Sequence, residues 1–104
     1  MPSLYERRRA ERIASLLQAL DPQVEVALVN LSLLGVRTRV VGSYAQGRFG
    51  PRSDVDFLIE DAGPASDGEI YEAIASAIRV SPFDIVHLQS LEPQSRRLML
   101  WANP

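Results

Sequence analysis

Gly42-Ser43-Tyr44-Ala45-Gln46-Gly47-Arg48-Phe49-Gly50-Pro51-Arg52-Ser53-Asp54-Val55-Asp56-Phe57-Leu58-Ile59 is the stretch on which the fold turns. Upstream, residues 36–42 alternate as a strand, with Val36, Thr38 and Val40 on one face and Arg37, Arg39 and Val41 on the other. Gly42 breaks that pattern, and Gly47, Gly50, Pro51 and Ser53 make the following stretch partly loop, with room for one helical turn. A second strand is expected over 54–60. Asp54 and Asp56 are then two residues apart on it, so both carboxylates project to one face while Val55 and Phe57 take the other.

Two carboxylates on one face repel unless a cation lies between them. Magnesium suits them, because it is a hard ion that binds through one or two carboxylates and completes its shell with substrate phosphates. The alternative is a pair of solvated aspartates at a strand entrance. Gly42-Ser43 argues against that alternative. Glycine permits a tight turn with close backbone approach, the N–H groups beyond it suit an anion, and Ser43 adds a hydroxyl. Asp84 supplies a third carboxylate from a strand expected at 83–88, flanked by apolar Phe83 and Ile85. It is costly there unless a charged partner or metal meets it, or unless it is a strand-edge residue in solvent. Together the three could hold one or two metals.

Helices are expected on either side of this segment. Leu4, Ile13, Leu16, Leu17 and Leu20 form an apolar stripe over 3–20, with Ser3 and Glu6 as a cap pair. Asp21-Pro22 should end that helix and start a second over 23–34, closed by Gly35. A third is expected over 67–79, capped by Ser66 and Glu69. A last one should run over about 93–101, with Leu98, Leu100 and Trp101 as its apolar residues. This order predicts a single α/β (α+β) domain over 1–104: a small mixed sheet of three or more strands, flanked by helices and covered mainly on one face.

Gly-Ser, ten intervening residues and Asp-x-Asp resembles the signature of nucleotidyltransferases related to DNA polymerase beta, and the likeness extends over about residues 36–88. The short chain is most similar to the minimal nucleotidyltransferase group. The resemblance implies that Gly42 and Ser43 position the nucleotide β- and γ-phosphates and that Asp54 and Asp56 ligate magnesium. It gives Asp84 the catalytic metal and a part in lowering the pKa of the attacking hydroxyl. It further implies transfer of AMP from ATP to a tyrosine of a HEPN-type toxin, for which the chain would be the antitoxin. Two other readings stay open. One is a non-enzymatic module that neutralises a toxin by direct binding; the other is a small-molecule nucleotidyltransferase working as a homodimer.

Arg48 and Arg52 could reach a triphosphate through charge-assisted bonds or could be solvated loop residues. Tyr44 is expected to pack against the turn. His87 falls on the face opposite Asp84, which makes it a poor member of the same site. Arg7, Arg8, Arg9 and Arg12 suit a solvated helix face or an acidic partner surface better than nucleic acid, because Glu6 and Glu11 are interspersed and the net charge is -2. The absence of cysteine excludes a disulfide framework, a thiolate metal site and a Cys nucleophile, and fits a cytoplasmic protein. No apolar run approaches the length of a membrane span.

Overall fold

In a computed structural model, residues 2–95 and Arg97 are described. Helix α1 spans Leu4–Leu33, followed by strand β1 (Arg37–Val41), the short helix α2 (Gly42–Ala45) and strand β2 (Val55–Asp61). Helix α3 (Asp67–Ala75), strand β3 (Phe83–His87) and a 3-10 turn at Leu88–Ser90 complete the order. Pro93, Gln94, Ser95 and Arg97 are helical. Leu98, Leu100 and Trp101, expected to be the apolar residues of a last helix, lie outside the described residues.

The expected break at Asp21-Pro22 is absent: Pro22 sits inside one 30-residue helix. The carbonyl of Gln18 loses its donor there, but Gln18 and Pro22 are both exposed, so water can replace the missing N–H. Packing decides the rest. Leu20, Val24, Ala27 and Leu31 are buried at successive four- and three-residue intervals, so a single stripe crosses the proline without a change of phase. Side chains then tie the helix to α3 and to the turn beyond it. Asn30 Nδ2 donates to the Ala73 carbonyl at 3.1 Å, and Gln23 Oε1 accepts from the Arg79 and Val80 amides at 2.8 and 3.3 Å.

α3 also departs from expectation, ending at Ala75 rather than 79. Ala77 and Ile78 are buried all the same, in a turn where both amides bond the Ile74 carbonyl at 3.0 and 2.8 Å. A buried apolar repeat cannot distinguish a helix from a turn packed on the same core. The cap is as expected: Ser66 Oγ accepts from the Glu69 amide at 3.1 Å, and Glu69 Oε1 accepts from the Ser66 amide at 2.9 Å.

The sheet has the order β1-β2-β3. β1 and β2 are antiparallel, while β2 and β3 are parallel and joined by the α3 crossover. Val55, Phe57 and Ile59 of β2 pack into the core with Leu20, Val24, Ala27 and Leu31 of α1 and Ile70, Ala73 and Ile74 of α3. The other face of β2 carries Asp56, Leu58 and Glu60. Leu58 and its neighbour Val41 are buried but stand apart from that core. Arg39 spans this face to Glu60 at 3.6 Å.

Candidate active site

Three chain segments meet at one end of the sheet. β1 delivers Val41 opposite Asp56, and β2 sets Asp56 beside Asp84 of β3. Gly42 follows directly with φ +80°, a conformation that side chains resist. Space gives a second reason for glycine. A Cβ at position 42 would overlap Asp56 Oδ2, so the carboxylate lies against the bare backbone of the turn.

The acids influence one another electrostatically. Partial burial, then the charge of Asp84, then that of Asp54 raise the Asp56 pKa above the ordinary carboxylate range. Asp54 and Asp56 are partly covered and Asp84 is exposed. Among the described residues, no three acidic or imidazole side chains stand close enough to form a ready-made metal cage. The donor set nevertheless fits magnesium, a hard cation that takes few protein oxygens and relies on substrate phosphates for the rest. A cation among these carboxylates would relieve the repulsion that holds Asp56 toward its protonated form.

The turn itself is braced from outside. The Gln46 amide donates to the Gly42 carbonyl at 3.1 Å, and the Arg48 amide to the Ser43 carbonyl at 2.8 Å. Tyr44 packs edge-on against Phe49, with ring centroids 5.8 Å apart, and its hydroxyl donates to Asp21 Oδ1 at 2.5 Å. Burial, then that bond and the nearby acids, push the phenol well above its usual range. At the far end of the loop, Ser53 Oγ accepts from the Gly50 amide at 2.9 Å and the Ser53 amide returns to the Gly50 carbonyl at 3.1 Å. That closure hands the chain to Asp54.

A family model described as "Nucleotidyltransferase domain" matches residues 23–98, well over half of the chain. The chain belongs to the nucleotidyltransferase domain family. No curated protein and no solved structure matches it. The matched span of the nucleotidyltransferase domain covers Gly42, Ser43 and all three aspartates, and it includes the C-terminal part of α1 that packs on the core.

Other expected residues fall into place around this site or away from it. The Arg48 guanidinium bonds Gln46 Oε1. Arg52 lines a groove against α1 together with Arg9 and Arg12. His87 lies on the opposite face, as its strand position required, with Nε2 3.6 Å from Asp67 Oδ1. Sequence reasoning missed the tie from Asp21 to Tyr44. Its one available signal was Phe49, a lone aromatic in a polar loop, which had to be buried somewhere.

Proposed function

We propose that this nucleotidyltransferase transfers AMP from ATP to a tyrosine hydroxyl of a partner HEPN-type toxin and so acts as its antitoxin in the cytoplasm. The observation that carries the reading is Asp56. Its carboxylate occupies the space left by the absent Cβ of Gly42, with Asp84 as its cross-strand neighbour. A phosphate held at the turn is thereby held beside the acids.

On this reading Gly42 and Ser43 bind the β- and γ-phosphates, and Asp54, Asp56 and Asp84 hold one or two magnesium ions. The bound metal supplies charge neutralisation and activation of the acceptor hydroxyl. The acceptor oxygen bonds to the α-phosphorus, the bond from that phosphorus to the bridging oxygen breaks, and pyrophosphate leaves. The tyrosine proton passes to the carboxylate of Asp84, the exposed member of the three, and from there to water.

Incubation with magnesium, α-labelled ATP and the folded product of the neighbouring gene tests the proposal. Label should appear on a tyrosine of that partner and should vanish with Asp54→Asn/Asp56→Asn. Absence of label on a folded partner would overturn it. So would a double variant that still inhibits the partner as fully as the wild type, since inhibition would then need no chemistry.

A further inference from the structure

A groove of about 790 Å3 runs between the N-terminal half of α1 and the loop that leads into Asp54. Its cations come from two elements, Arg9 and Arg12 of the helix and Arg52 of the loop, and its apolar wall includes Tyr5, Ile13 and Leu16. None of the three arginines forms an ion pair among the described residues, although Glu6 and Glu11 share the helix.

The helix poses a matching problem. Its first buried residue is Leu20, so everything from Leu4 to Ala19 lies at the surface or is only half covered. A helical stretch of that length is marginal in water without packing. Leu16 and Leu17 already rest on the edge of the core, while half-covered Ile13 and the open side of Leu16 line the groove where a partner would pack.

We infer that this groove docks an acidic, amphipathic segment of the acceptor protein, with carboxylates on Arg9, Arg12 and Arg52 and apolar side chains against Ile13 and Leu16. The inference rests on the protein-acceptor reading above. Ser53 lines the groove and immediately precedes Asp54, so one loop serves both the groove and the first of the three acids. A protein segment fits better than a nucleic acid. The chain carries a net charge of -2, which gives a long polyanion no overall attraction, and bases and phosphates would leave the aliphatic wall without a partner.

The test uses a fluorescein-labelled synthetic peptide with glutamate and leucine at helical spacing, followed by fluorescence anisotropy. Arg9→Glu/Arg12→Glu is the variant, since both positions are exposed and neither belongs to the nucleotide site. The wild type should bind the peptide, with an affinity that falls as salt is raised. The variant should bind at least about tenfold more weakly, as expected for reversed interface charges. Calorimetry on the same samples should give equal magnesium–ATP affinities. If magnesium–ATP binding is absent from the wild type while the peptide result holds, the groove assignment stands and the catalytic reading falls. Failure of the wild type to bind peptide, or equal binding by the variant, would overturn the inference. It would also fall if single-stranded RNA displaced the peptide at lower concentration, or if the wild type were a dimer that the variant dissociates.

Discussion

The two faces of β2 are built from alternate residues of one short strand, yet they serve opposed ends. Val55, Phe57 and Ile59 are nearly or fully sealed in the core, where each side chain gains from leaving water. Asp56, turned the other way, is partly covered and faces Asp84 and Asp54, and its charged form is disfavoured. One face holds the domain together and the other stores repulsion that a ligand can relieve. Pleating makes this economical, because a rigid, buried face fixes the position of the reactive one within the same strand.

Substitutions can break this division or sharpen it. The largest effect belongs to Phe57→Ala, which should cost about 3–5 kcal/mol and remove cooperative unfolding in a denaturant titration. A comparable loss from changing any of the three acids would erase the distinction. Gly42→Ala combines a strained positive φ with overlap of Asp56, so stability should fall by about 1–2 kcal/mol. Nucleotide transfer should fall more steeply, by about 100-fold, because the displaced carboxylate misplaces the reacting groups. Tyr44→Phe keeps the packing on Phe49 and loses only the bond to Asp21, for about 0.5–1.5 kcal/mol in chemical denaturation. It should also blunt the loss of stability above about pH 10, where the unfolded phenol ionises but the folded one resists.

Asp56→Asn has the smallest effect and the opposite sign. The folded carboxyl has a raised pKa, so over the window just above the ordinary carboxylate range the native state holds more protons than the unfolded chain. Wild-type stability therefore falls as pH rises through that window, and below it the penalty is absent. The variant should be more stable at neutral pH by no more than about 1 kcal/mol, given solvent screening. Its advantage should disappear in acid. Thermal melts of both proteins across pH would show the two curves converging.

Much of this was legible because the signals were local. Strict alternation placed Asp54 and Asp56 opposite Val55 and Phe57, and the strand expected at 54–60 is found at Val55–Asp61. The Ser66–Glu69 cap is a contact three residues apart, readable from spacing alone. Pro22 misled because its rule is also local, whereas the stripe from Leu20 to Leu31 acts through tertiary burial and outweighs it. The register that pairs Asp56 with Asp84, the meeting of Asp21 with Tyr44 and the groove across α1 all depend on segments far apart in sequence. No periodicity within one element could reveal them.

The parallel register of β2 and β3 also bears on the order in which the protein becomes competent during synthesis. A nascent chain that has emerged as far as Asp61 already carries the glycine turn and two acids, but Asp84 follows only after the whole α3 crossover. Such distant pairings close late. The three acids thus come together only once the sheet is complete.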